Sequence, residues 1–163
     1  MLFRSTLVDP DDPSLVAPAD MPEAIRTLAR ATGEPVPETT GAVVRTALES
    51  VAAAIARTLA ELDALVGRRI GQVHVVGGGV KNRLLCQLIA DATDRPVLAG
   101  PVEATAIGNL LVQLLSRGGT VDLREVRRVV RDTFEITRFE PQHAARWKAR
   151  LAGRPSRRGD EAT

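Results

Sequence analysis

With 163 residues, 44% of them apolar, 26% charged and a formal charge of +2, the chain is sized for one soluble domain with a substantial core. Three Phe, one Trp and no Tyr leave little material for base-stacking platforms, so binding of single-stranded nucleic acid is disfavoured. The single cysteine, Cys86, excludes an intramolecular disulfide and a multi-cysteine zinc site.

The N-terminal Met1-Leu2-Phe3-Arg4-Ser5 lacks the basic and then apolar layout of a signal peptide, and the apolar runs fall short of the roughly 20 residues that span a bilayer. A cytoplasmic protein without a membrane partner is expected. Residues 1–19 form a Pro/Asp-rich segment, with Asp9-Pro10-Asp11-Asp12-Pro13 at its centre, expected to run extended over the surface. The domain proper is expected over 20–152. Asp20 can cap a short helix whose first turn holds Pro22 and Glu23 and which ends at Gly33. After Pro35 and Pro37, Thr39 or Thr40 starts the longest helix, to Val66, with Gly67 as its stop. Val44, Leu48, Val51, Ile55, Leu59, Leu62 and Val66 recur along it at helical spacing and are its expected apolar face.

Gln72 to Val76 reads as a strand and Val80 or Lys81 to Thr93 as a helix, with three glycines between them. Pro96 to Ala99 is a second extended run. Glu103 to Arg117 reads as a helix stopped by Gly118 and Gly119. Asp122 caps another, to about Thr133, and Phe134 to Phe139 is extended. Residues 153–163, rich in Arg, Gly and Ser, read as a disordered basic tail. Val73 to Val76 has the apolar look of a parallel strand covered on both faces, yet two or three short strands cannot cover it. Strands are missing from this sequence, or a partner supplies them.

Chemistry concentrates at Gly77-Gly78-Gly79 and Asn82. Glycines between a strand and a helix let bare backbone approach a ligand, and helix N-termini favour anions; tight turns use the same layout. An Asn amide offers donors and an acceptor to a base edge, or can bond its own backbone in a first turn. Glu103 reads first as a carboxylate favoured by a helix N-terminus and second as a ligand contact. Gly108 inside a helix suggests close packing against a neighbour. Cys86 reads as a small buried hydrophobe, and His74 as a packed, hydrogen-bonded histidine. His143 has no identifiable partner. No pair of histidines or carboxylates has metal-ligand spacing, so no metal site is expected in the chain.

The order Val73-His74-Val75-Val76-Gly77-Gly78-Gly79-Val80-Lys81-Asn82, then Ala90 to Thr93, Arg95-Pro96-Val97 and Gly100-Pro101-Val102-Glu103-Ala104-Thr105-Ala106-Ile107-Gly108-Asn109, resembles the C-terminal end of the FGGY family of carbohydrate kinases. The resemblance spans residues 3 to 141. It implies an α/β fold that is part of an actin-like ATPase (ribonuclease H-like) domain, helix-rich with two or three short strands. It also implies that Gly77 and Gly78, with Gly79 beside them, pack against the adenosine of ATP, that Asn82 lies beside the adenine, and that Ala104, Ala106 and Gly108 pack under the pocket that Glu103 opens.

In that family the aspartate base, the Asp-x-Gly phosphate loop and the sugar contacts precede the matched region, and this sequence contains no Asp-x-Gly. The resemblance therefore implies an ATP site reduced to its adenosine part, no catalytic residue, and Mg²⁺ only in a complete enzyme. The expected partners are an adenine nucleotide and a complementing N-terminal kinase chain. The alternative is a stand-alone, non-catalytic nucleotide-binding or interaction module. Nucleic acid, suggested by Arg124, Arg127, Arg128 and Arg131, is disfavoured because Glu125, Asp132 and Glu135 interleave.

Overall fold

The computed structural model describes residues 6–116 and 123–152. Helix α1 spans Met21–Ala31, with the Asp20 carboxylate accepting from Glu23 N–H at 3.0 Å and Pro22 in its first turn. Helix α2 spans Thr40–Val66; Thr39 caps it and Gly67, at φ +71°, stops it in the left-handed region that glycine tolerates. Strand β1 (Val73–Val75), helix α3 (Arg83–Thr93) and strand β2 (Val97–Ala99) follow. Then come α4 (Ala104–Ser116), α5 (Leu123–Thr133), β3 (Thr137–Phe139) and α6 (Ala144–Leu151). The helix-rich α/β composition agrees with the sequence reading.

The described strands form one sheet in the order β1-β2-β3. β1 and β2 are parallel, with Val73 opposite Val97 and Val75 opposite Ala99, and β3 runs antiparallel with Phe139 opposite Val97. Helix α3 supplies the parallel crossover and packs on one face of the sheet. Cys86, Leu88, Ile89, Ala90, Val97 and Phe139 join there with Ala52 of α2 and Trp147 of α6 as the core. Each large apolar side chain buried in it contributes about 1.5–3 kcal/mol.

The path into β1 is fixed by a buried cation. Arg95 donates to Ile70 O at 2.7 Å and to Thr93 O at 3.2 Å and pairs with Asp63, whose other oxygen accepts Ile70 N–H at 2.8 Å. A guanidinium so placed is compensated because each of its three nitrogens donates to an acceptor.

Several expectations are corrected. The first segment is not a surface strip throughout: Leu7 and Val8 are buried, and Val8 N–H donates to Ser50 Oγ at 3.0 Å inside α2. The α2 face that packs is built from Val43, Thr46, Ser50, Ala52 and Ala56, whereas Val44, Val51, Leu62 and Val66 of the expected stripe are exposed. Small residues face the packed side because α3 comes close to α2. Within the expected stripe, Leu48 and Ile55 do pack against the core, so the stripe is covered in part and exposed at its two ends. Helix α6 was not anticipated from the basic residues Arg146, Lys148 and Arg150. Trp147 anchors it to the core, and Arg150 reaches Glu34 at 2.6 Å. The ends at 1–5 and 153–163, and Arg117, Gly118, Gly119 and Asp122, lie outside the described residues.

Asp91 of α3 holds α6 in place. It is buried, and one carboxylate oxygen accepts from Gln142 N–H at 2.7 Å, His143 N–H at 3.2 Å and the Gln87 amide at 3.0 Å. Thus His143 has its partner through the backbone. Asp91→Ala would strand these donors and is expected to destabilise the fold by about 2–4 kcal/mol. Asp91→Asn, which keeps an acceptor oxygen, should recover part of that loss in urea unfolding. Equal stability of Asp91→Ala and the parent would show that water replaces the carboxylate at no penalty.

Candidate functional site

At the carboxyl ends of β1 and β2 two loops run side by side. Val75 O accepts Gly100 N–H at 2.9 Å as the last rung of the parallel ladder, and Gly77 N–H donates to Pro101 O at 3.3 Å just beyond it. Loops at this end of parallel strands are where open α/β sheets take ligands, because the sheet stops there and backbone donors emerge.

The three glycines of the run differ in what surrounds them. Gly77 sits at φ +73°, a conformation that residues with a Cβ rarely adopt. Gly79 lies under Val75, whose Cγ1 would be 3.6 Å from an added Cβ. Gly78 has ordinary backbone and is exposed, and a Cβ built on it would meet nothing within 4 Å. Its backbone is bare toward solvent, and no neighbour among the described residues requires a glycine there.

The helix does not begin directly after the glycines, as the sequence suggested. Gly77–Lys81 forms a 3-10 turn, and α3 starts at Arg83. Asn82 is the residue between the two, with its side-chain oxygen accepting Leu85 N–H at 3.0 Å and its backbone O accepting Cys86 N–H at 3.1 Å. The capping role that the sequence left open for Asn82 is thus real. With the oxygen engaged, the exposed amide NH₂ is the group it can present to a ligand acceptor.

Glu103 is exposed at the start of α4, where its backbone O accepts Ile107 N–H at 3.0 Å. The carbonyl of its neighbour Val102 lies 4.0 Å from where a Gly77 Cβ would stand. The small residues of α4 do not pack as anticipated: Ala106 and Gly108 are exposed, and a Cβ on Gly108 would meet nothing within 4 Å.

His74 is also corrected. It is exposed on the outer face of β1 and shares a 2.9 Å hydrogen bond with the Gln72 amide, bonded but not packed. Cys86 is buried beneath the loop, its sulfur 3.8 Å from Gly79 O, and burial pushes its thiol above the usual range, which suits an inert core residue. A residue not singled out for a role by sequence is Gly100. At φ +136°, its absent Cβ is what lets Glu135 O approach, so β2 and the turn before β3 meet there. The Gly-Pro pair after an apolar strand was the available signal.

The fold and this pair of loops define a ligand-type edge of an α/β sheet, carried by a helix-rich fragment with few strands. Residues 3–117 match the C-terminal domain of the FGGY family of carbohydrate kinases. A rhamnulokinase from Bacteroides thetaiotaomicron is 44% identical over 147 residues, which cover 90% of this chain and 30% of that protein. One from Klebsiella pneumoniae strain 342 is 42% identical over 135 residues, 83% of this chain and 28% of that protein. Among solved structures, the xylulose kinase of Rhodospirillum rubrum superposes with a TM-score of 0.53 and 26% identity, over 73% of this chain and 24% of that one.

The chain belongs to the FGGY family of carbohydrate kinases, in which it corresponds to the C-terminal domain. Its fold is a portion of the actin-like ATPase domain of these kinases, and within the family it resembles rhamnulokinase. It spans less than a third of the rhamnulokinases it matches. Among the described residues, no helix is long and apolar enough to cross a membrane.

Proposed function

We propose that this chain is the adenosine-binding portion of a cytoplasmic, rhamnulokinase-like sugar kinase, which would phosphorylate L-rhamnulose from ATP when the rest of the fold is present. In this reading Gly77, Gly78 and Gly79 offer backbone to the adenosine and its α-phosphate, the Asn82 amide NH₂ donates to a ring nitrogen of adenine, and Glu103 borders the pocket. The observation that carries it is Gly78: exposed, in ordinary backbone, with open space where its side chain would be, beside the second loop at the end of β2. The resemblance to rhamnulokinases supports the substrate class, and their greater length supports a complementing N-terminal portion that carries the sugar and phosphate contacts. Mg²⁺ would enter with the phosphate contacts of the complete enzyme; among the described residues no three His, Cys, Asp or Glu side chains group together.

Nuclear magnetic resonance titration with AMP and ATP tests the site. Millimolar binding, about −4 kcal/mol, is expected, with shifts centred on residues 77–82 and similar affinity for the two nucleotides, because nothing described here holds the terminal phosphates. Gly78→Val should abolish the shifts while leaving the fold intact, since the space it fills is empty. Asn82→Asp keeps the helix cap but removes the NH₂, and should reduce the preference for adenine over guanine. Shifts confined elsewhere, or ATP binding far tighter than AMP, would reject the assignment.

A further inference from the structure

Among the described residues Gly78 has no hydrogen bond outside its own turn, and open space stands where its side chain would be. Its place is therefore set by the two glycines that flank it. Gly79 belongs to the unit of β1 and α3: it lies under Val75, and its carbonyl is 3.8 Å from the Cys86 sulfur. Gly77 is held from outside that unit, because its N–H donates to Pro101 O at 3.3 Å on the loop that follows β2.

The β2 loop is itself fixed on two sides. On one, Gly100 N–H closes the parallel ladder at Val75 O, 2.9 Å away. On the other, the turn into β3 fills the space beside Gly100, where a Cβ would stand 2.5 Å from Glu135 O and 3.4 Å from Ile136 Cα. That turn follows α5 directly, since Phe134 N–H still bonds to Val130 O at 3.0 Å. Backbone contacts thus run from the end of α5 through Gly100 and Pro101 to Gly77. At φ +136° and +73°, Gly100 and Gly77 hold conformations that a side chain would strain.

Resting on the adenosine reading above, we infer that Gly100 is a positioning residue of the nucleotide loop. It acts through the Pro101 carbonyl on Gly77, so the turn at Glu135 and Ile136 sets where the Gly78 backbone meets adenosine. Bare backbone aids binding only at the right distance from its ligand, and a small displacement forfeits that gain. A methyl group on Gly100 must push either the turn or the β2 loop, and the loop carries Gly77 with it through Pro101 O. The other end of the fold has no such route: α6 is held through Asp91, well along α3 from the glycines.

The test compares Gly100→Ala, Glu135→Gly and Asp91→Ala in the full chain by nuclear magnetic resonance, at a temperature where each is folded. Glu135 is exposed, so its glycine variant loosens the turn without removing packing, and it decides the matter if Gly100→Ala does not fold. Without nucleotide, the Gly77 and Gly78 amides are expected to shift in the first two variants, and the Gly77 N–H to exchange faster. With AMP, Gly100→Ala should weaken binding at least about fivefold and Glu135→Gly at least about twofold. Asp91→Ala, comparable to Gly100→Ala in lost stability, should leave both readouts at the parent's values. Loop amides or AMP affinity unchanged in both loop variants, or AMP binding weakened equally by Asp91→Ala, would overturn the inference and leave the adenosine reading standing. A parent that binds no AMP at residues 77–82, while the nucleotide-free amides still move in the first two variants, would instead remove the adenosine reading and keep the link between the loops.

Discussion

Gly100→Ala is expected to be the most damaging single-methyl change in the chain. A Cβ there would stand 2.5 Å from Glu135 O and 3.4 Å from Ile136 Cα, both backbone atoms, and the residue would be held at φ +136°. Neither contact can be relieved by a side-chain rotation, so β2 or the turn into β3 must move. Together the overlap and the backbone strain should cost about 3 kcal/mol or more, a fall of roughly 10 °C in melting temperature for a domain of this size. Gly78→Ala, one strand away with ordinary backbone and open space, should change stability by only about 0.5 kcal/mol and is the natural control. Thermal melts of the two variants side by side decide it, and equal melting temperatures would mean that the β2–β3 junction is plastic.

The second large effect is a complete one. The purified 163-residue chain is expected to release no ADP in response to L-rhamnulose. Phosphoryl transfer depends on positioning the γ-phosphate, the attacking hydroxyl and its base, and on stabilising charge between them. This sequence has no Asp-x-Gly phosphate loop, and three of its described aspartates serve structure: Asp20 caps α1, Asp63 fixes Arg95, and Asp91 holds α6. Loss of positioning and charge stabilisation together removes the principal sources of acceleration, leaving nothing a coupled assay would register. Sugar-dependent turnover that follows the pure chain through successive columns, and disappears in Gly78→Val, would overturn this.

Much of the local structure at the candidate site was legible in the chain because its signals are local. Strand, glycines and helix stand in a run of about twenty residues, and Asn82 at the edge of α3 follows from its own capping chemistry. The turn geometry was not legible: nothing in Gly77–Lys81 distinguishes a 3-10 turn from the first turn of α3, since both are helical and the difference is a matter of which carbonyl each N–H finds. Helix α6 was missed for a related reason. The residues that lead into it are held by Asp91, more than fifty residues earlier, and its apolar contacts are few, Trp147 and Leu151.

By itself the sequence determined the helix-rich α/β class, the ends of α1 and α2, the strand followed by glycines, and the family. Each depends on residue order within one element or on the order of motifs along the chain. Only the tertiary structure decided which faces are buried. The α2 stripe of Val44, Leu62 and Val66 has sound helical spacing but lies exposed, while Thr46, Ser50 and Ala52 are inside, because burial depends on what another element brings against a face. The same holds for β1: its apolar composition asks for two neighbours, and among the described residues the structure gives it one, β2. Periodicity specifies that a face is apolar; a partner surface specifies that it is covered.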